Sequence, residues 1–283
     1  MYKITTLTLI CSLLLFSCKE KKKEAKDALT KQELHKELYG SYIGSFSDYE
    51  YKGDIFTTMS LSINSITEDG VNGYAIVNGN RRVLSGTIDD KDSSKIVLDL
   101  KEPGDKKSDG VFHIVIKGDS LLGTWKPLLS ESKLKTKDLA LAKKSFKYDP
   151  SLMLSEDGMY IDYTQSKDTS MKYDDNDSSY VEKVFREASS AVTHLNASTT
   201  VLQESELKNL KKLDLEIIKN TVYARHGYAF KTKGARQFFD FQEWYMPIYD
   251  DVENQLSKTE QTNIETLNRF AKYAQDNYDS FGR

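Results

Sequence analysis

"YAIVNGNRRVLSGTI", residues Tyr74 to Ile88, carries two short β-branched runs on either side of Asn78-Gly79. That dipeptide supplies the positive backbone angles of a two-residue hairpin turn, so the flanking segments are expected to pair as adjacent antiparallel strands. The same grammar extends in both directions. In "TTMSLSINSI", Met59, Leu61 and Ile63 alternate with Ser60, Ser62 and Asn64; Ile96, Leu98 and Leu100 alternate in "KIVLDL", and Phe112, Ile114 and Ile116 in "VFHIVIK". Period two is the mark of a half-buried strand. Asp69-Gly70 and Gly118-Asp119 supply further turns. About seven strands at this spacing predict an antiparallel barrel or sandwich over residues 39–128.

Helical signals dominate the other end of the chain. In "KLDLEIIKNTVYARHGYAF", Leu213, Ile217, Thr221 and Ala224 share a face that Ile218 and Val222 widen, with Asp214 and Glu216 in the first turn and Arg225 and His226 in the last. Both ends complement the helix dipole. Gly227 stands where a left-handed stop is needed, placing Tyr223 and Tyr228 at the two positions that touch in a Schellman motif. Ser257 and Glu260 have capping-box spacing and open a second helix bearing Ile264, Leu267, Ala271 and Ala274. Between these helices lies an aromatic-rich stretch with Phe238, Phe239, Phe241, Trp244, Tyr245 and Tyr249. The fold class expected is therefore α+β, a β domain followed by a small helical one.

The intervening region gives weaker signals. "ESKLKTKDLALAKK", Glu131 to Lys144, reads as a polar helix, and residues 129–198 as a connector with one amphipathic helix. That helix would open at a Ser179/Glu182 capping box and carry Val181, Val184, Phe185, Ala188, Val192 and Leu195 on one face. The acidic run Asp174 to Asp177 fails the calcium-loop pattern, because the sixth and twelfth places counted from Asp175 hold Tyr180 and Arg186. The loop Lys101 to Gly110 reads as a solvated hairpin connection.

At the N-terminus, Lys3 precedes an apolar run from Ile4 to Phe16, the layout of an export signal and too short to span a bilayer comfortably. Leu15-Phe16-Ser17-Cys18 resembles a bacterial lipobox, which implies removal of residues 1–17 and lipidation of Cys18, with residues 18–38 as a charged tether. Lys19-Glu20 after that cysteine resembles the export signals of Bacteroidota lipoproteins. The resemblance implies an outer-membrane protein anchored through its lipid, facing the periplasm or the cell surface. Loss of Cys11 and modification of Cys18 would leave no free thiol in a chain with two cysteines, which removes thiolate chemistry and disulfides. A formal net charge of −3 gives no reason to expect a nucleic-acid partner.

Tyr223-Ala224-Arg225-His226-Gly227, then Tyr228 and Phe230, then "QFFDFQEWYMP" and "LSKTEQTNIETL", resemble the YARHG domain, an extracellular bacterial module, over roughly residues 199–283. Lys219 stands before Asn220 where that family usually has arginine. The resemblance implies an exported protein and brings no agreed catalytic residue or cofactor. In the β region, "YGSYIGSF" and "LLGTWKP" loosely resemble the strands of lipocalin-like barrels.

Chemistry is sparse in this chain. His35, His113, His194 and His226 are isolated, no H-E-x-x-H occurs, and no G-x-S-x-G surrounds a serine, so neither a metal, a cofactor nor catalytic residues are expected. Arg225 can stack on an aromatic face or grip a carboxylate, either within the fold, with Asp240 or Glu243, or on a ligand. The candidate recognition set is Tyr223, Arg225, His226, Gly227, Tyr228, Trp244 and Tyr245. The favoured reading is a binding protein for cell-wall peptidoglycan, another glycan or an envelope protein. A carrier of a small apolar ligand or lipid in the β domain, or a hydrolase using His226, are the alternatives.

Overall fold

The computed structural model describes residues 32–48, 57–92, 95–172 and 179–276. The described residues make one compact unit. The expected export signal, Cys18 and the Asp174–Asp177 run lie outside the described residues.

Eight strands form a closed antiparallel barrel: β1 (Gly40–Asp48), β2 (Thr57–Thr67), β3 (Gly70–Val77), β4 (Asn80–Asp89), β5 (Val97–Lys101), β6 (Gly110–Lys117), β7 (Ser120–Pro127) and β8 (Lys137–Lys144). Each strand pairs with its sequence neighbour, and β1 closes the ring on β8 with Gly44 opposite Leu141 and Phe46 opposite Leu139. The Asn78-Gly79 turn joins β3 to β4 with both residues at positive φ, 52° and 71°. A Cβ at Gly44 would collide with the Ala140 carbonyl, so the seam closes only because position 44 lacks a side chain.

Strand β8 corrects two expectations, the seven-strand count and the helix over residues 131–144. Lysine and alanine favour a helix locally, but Leu139 and Leu141 alternate with Ala140, and that alternation puts both leucines inside the barrel. Without β8, strands β1 and β7 would each leave a row of unpaired backbone groups, and closure satisfies both. The barrel accordingly runs to Lys144, beyond residue 128.

The interior is filled by Tyr42, Met59, Leu61, Ile63, Leu98, Leu100, Phe112, Ile114, Leu139 and Leu141, among others. At the end where even-numbered strands finish, a single 3-10 turn, Lys36–Leu38, plugs the barrel. Leu38 packs into the core there, and the Tyr42 hydroxyl donates to the Leu38 carbonyl (2.9 Å).

A two-stranded ribbon, β9 (Ile161–Lys172) and β10 (Ser179–Glu187), follows the barrel. It replaces the amphipathic helix expected from residue 179. Val181, Val184 and Phe185 suit a pleated surface at least as well as a helix, and β9 supplies the hydrogen-bond partner that no local pattern reveals. The chain turns at Ser189, whose N–H (2.6 Å) and hydroxyl (2.9 Å) both donate to Asp214. Only one helical turn, α1 (Ala191–His194), remains of that expectation.

The helical domain comprises α2 (Glu204–Leu207), α3 (Lys212–Arg225), α4 (Lys233–Phe239) and α5 (Lys258–Ala271). Its core joins Leu213, Ile217, Ile218 and Val222 of α3 to Phe238 and Phe239 of α4 and Ile264 and Leu267 of α5. The segment after α4 packs on the outer wall of the barrel. Ile43 meets Met246 and Ile248, the Ser60 hydroxyl donates to the Pro247 carbonyl (2.6 Å), and Phe146 stands edge-on to Tyr249. Ile43 and Ser60 are buried although they point out of the barrel, because the second domain covers them.

Candidate functional site

The end of α3 is a Schellman stop. The Tyr228 N–H donates to the Tyr223 carbonyl (3.1 Å) and the Gly227 N–H to the Ala224 carbonyl (2.9 Å), with the two tyrosine rings 5.8 Å apart. Gly227 sits at φ 77°, where a Cβ would lie 3.0 Å from the Met246 carbonyl and 3.1 Å from Ile248. Glycine is therefore required twice, by the backbone angle and by the segment that packs against it.

This turn divides the pentapeptide between two environments. Arg225 is 2% exposed and His226 4%. The Arg225 guanidinium donates from Nε to the Leu152 carbonyl (2.6 Å), from Nη1 to the Ser198 hydroxyl (2.9 Å) and from Nη2 to the Met153 sulfur (3.1 Å). Burial pulls its pKa down to about 10, against the pull of Tyr148 and Glu260. Arg225 is turned into the fold, and its partners there are the barrel-to-ribbon connector and Ser198 rather than Asp240 or Glu243. Trp244 joins the same clamp by donating from Nε1 to the Met153 carbonyl (3.2 Å).

His226 faces the other way, onto α5. Its Nε2 lies 2.9 and 3.1 Å from the two oxygens of Glu260, and its ring is stacked on Tyr148 at 4.3 Å. A carboxylate only accepts, so Nε2 carries the proton. Glu260 is 0% exposed and also accepts from the Ser257 N–H (2.8 Å) and the Tyr148 hydroxyl (3.0 Å). Burial works to raise the Glu260 pKa, but the hydrogen bonds, led by that from His226, hold it down to about 2. The capping box read from Ser257 and Glu260 is thus real, and its carboxylate does a second job as the acceptor of the motif histidine. Closed off by Tyr148 and Glu260, His226 has no open approach for a substrate. Tyr245 is buried as well, donating from its hydroxyl to the Tyr228 carbonyl (2.7 Å).

Tyr223 and Tyr228 point outward instead. With Phe230, which meets Tyr228 edge-on at 5.2 Å, they line a groove of about 450 Å³ between α3 and the segment around residues 250–253. One wall is polar, with Asp250, Asp251 and Glu253, and the other carries Lys219 and Asn220 of α3. The Tyr223 hydroxyl donates to Glu253 (3.2 Å). Burial, then the nearby Glu253 charge, raises the Tyr223 pKa to about 12, so the phenol remains a donor throughout the neutral range. Lys219 is held by Asn268 of α5 (2.9 Å). The groove lies within the size range of small-ligand sites. Its aromatic faces can take the partially positive C–H groups of a sugar ring, and its carboxylates and amide can pair with hydroxyls.

Of the residues singled out from sequence, the structure brings Tyr223 and Tyr228 together on the groove. It places Arg225, His226, Gly227 and Tyr245 in the interior and Trp244 half-buried over the connector. Asp250, Asp251, Glu253 and Asn220 were missed. The signal for the three acids was the run "YDDVE", Tyr249 to Glu253, immediately after the aromatic stretch; Asn220 had none. Among the described residues no group of three or more His, Cys, Asp or Glu side chains is arranged to hold a metal ion, and no helix is long and apolar enough to cross a membrane.

Neither a curated protein nor a solved structure matches this chain. A family model does match part of it: residues 190–272, from the one-turn helix through α5, are a YARHG domain.

Proposed function

We propose that this protein is a lipid-anchored component of the cell envelope, tethered through Cys18, that binds cell-wall glycan through the groove of its YARHG domain. The observation that carries the reading is the division of the motif. Arginine and histidine are spent on holding the domain together, while the two tyrosines flanking them face a groove with a carboxylate wall. Aromatic faces beside carboxylates and an amide suit a polyhydroxylated ring that offers C–H groups on one side and hydroxyls at its edge. What supports binding rather than turnover is His226, whose donor is occupied by a buried carboxylate and one of whose ring faces is covered by Tyr148. The lipid anchor rests on the sequence from Leu15 to Cys18.

The test is co-sedimentation with purified peptidoglycan sacculi of a chain beginning at Lys19, which keeps the whole compact unit. Tyr223→Ala and Tyr228→Ala, checked for folding by circular dichroism, are the decisive variants. Binding by the parent and loss in both variants supports the groove. Equal binding by the folded variants removes the groove from the reading. No binding by the parent removes the glycan and leaves an envelope protein as the partner to seek.

A further inference from the structure

Among the described residues, one end of the barrel is plugged by the Lys36–Leu38 turn and the other holds a cavity. Where the odd-numbered strands finish, Phe46, Phe112 and Trp125 do not fill the interior to its lip but wall a cavity of about 370 Å³, with Ala75 and Val77 completing the apolar side. The rings support one another, Phe46 standing edge-on to Trp125 at 6.0 Å and tilted against Phe112 at 6.4 Å. The Trp125 indole N–H donates to Glu102 (3.1 Å), which also accepts the Gly110 N–H (2.6 Å). A side chain at Gly110 would strike the indole.

The rim is built rather than loose. The loop between β5 and β6, expected to be a solvated connection, is locked by Asp109, which is 1% exposed. One of its oxygens accepts from Arg82 (2.5 Å) and from the N–H groups of Gly104 (2.9 Å) and Lys106 (3.2 Å). Arg82 also pairs with Asp105. Its Nε is buried with no partner among the described residues, a donor left unsatisfied in a residue of the cavity wall. Arg82, Lys106 and Lys137 all line the cavity, whereas the carboxylates that pair with Arg82 and Lys137, Asp48, Asp105 and Asp109, lie outside that lining. Among the described residues of the lining, Glu102 is the acid, already tied to the indole and to the backbone.

We infer that the cavity at this end of the barrel is a second ligand site, taking a small amphiphile with an apolar tail among Phe46, Phe112 and Trp125 and a single anionic head at Lys106, Arg82 and Lys137. An aromatic-walled cavity of this size accommodates one modest tail, and the rim cations select the sign of the head. This site is separate from the tyrosine groove and stands whether or not that groove binds glycan.

The experiment is calorimetric titration of the chain beginning at Lys19 with decanoate, decanol and decylamine. Saturable binding of one decanoate, at least about tenfold tighter than decanol or decylamine, is the expected result. Val77→Trp, which fills the cavity, abolishes it. Lys106→Glu, on an exposed loop where folding is not at stake, weakens decanoate about tenfold and leaves decanol unchanged. Tyr223→Ala leaves decanoate binding intact. Equal affinity for all three probes overturns the anionic head. Binding that survives a folded Val77→Trp, or no saturable binding of any probe, overturns the site.

Discussion

Replacing Glu260 by glutamine tests the account of the motif histidine quantitatively. The carboxylate is fully buried and accepts from the His226 ring, the Tyr148 hydroxyl and the Ser257 N–H. Each charge-assisted bond is worth about 1.5–3 kcal/mol, and the cost of burying the charge offsets much of that sum. The net appears in the pKa, held at about 2 against an ordinary 4.5, which corresponds to roughly 3 kcal/mol favouring the folded ionised form. Because the folded pKa is the lower one, the unfolded chain binds the proton first as pH falls. The contribution is complete above about pH 5, less than half remains near pH 3, and it is gone below about pH 2. Glutamine keeps one acceptor oxygen and turns an amide toward the Tyr148 hydroxyl, which can rotate to accept. Urea unfolding followed by circular dichroism should therefore show Glu260→Gln about 2–3 kcal/mol less stable than the parent at pH 7, with the gap shrinking to about 1 kcal/mol at pH 3. Other carboxylates with depressed pKa values, such as Asp162 and Asp48, lower the stability of both proteins in acid and cancel in the difference. A gap that stays constant between pH 7 and pH 3 would refute the reasoning, since it would mean that the residue acts by shape alone.

Arg225→Ala strands the Leu152 carbonyl and the Ser198 hydroxyl and opens a cavity, with an expected loss of about 3–5 kcal/mol; Arg225→Lys keeps the charge but loses the fork, at about 1–2 kcal/mol. Both are read from urea midpoints. Gly227→Ala forces a side chain into positive φ against Met246 and Ile248 and should lower stability by about 2 kcal/mol in the same assay. Ser60→Val leaves the Pro247 carbonyl without its donor at the contact between barrel and helical domain, costing about 1–3 kcal/mol; unchanged stability would mean that the contact is dispensable. Cys18→Ser should move the expressed protein from the membrane to the soluble fraction on cell fractionation, and unchanged membrane association would remove the lipid anchor from the proposed function.

How much of this was legible depended on whether a residue's partners are near it in sequence. Met59, Leu61 and Ile63, the Asn78-Gly79 turn, the Ser257–Glu260 box and the Schellman pairing of Tyr223 with Tyr228 all have partners within one strand, one turn or one helical end. Periodicity and spacing reveal such features directly. Strand β8 and strand β10 were misread for the opposite reason. Each is a segment of mixed propensity with a partner that the segment does not reveal: β8 is paired on one side with β1, far along the chain, and β10 with β9, across residues 173–178, which carry no Asn-Gly signal. Barrel closure and ribbon pairing decide such segments, and neither is written in the segment itself.

The candidate site divides along the same line. The sequence by itself determined the composition of the helix stop, the need for glycine at 227, the capping of α5 and the inward stripe of α3, because local backbone geometry and helical period dictate them. Tertiary structure alone decided which side of that stop each side chain faces. Arg225 and His226 are as polar in sequence as any recognition residue, yet the connector at Leu152 and the carboxylate of Glu260 draw them inward, and a buried charge without those partners would be prohibitively costly. Tyr223 and Tyr228, expected to seal the stop, also line a groove because the chain folds back through Asp250 and Glu253, residues that only the three-dimensional arrangement sets beside them.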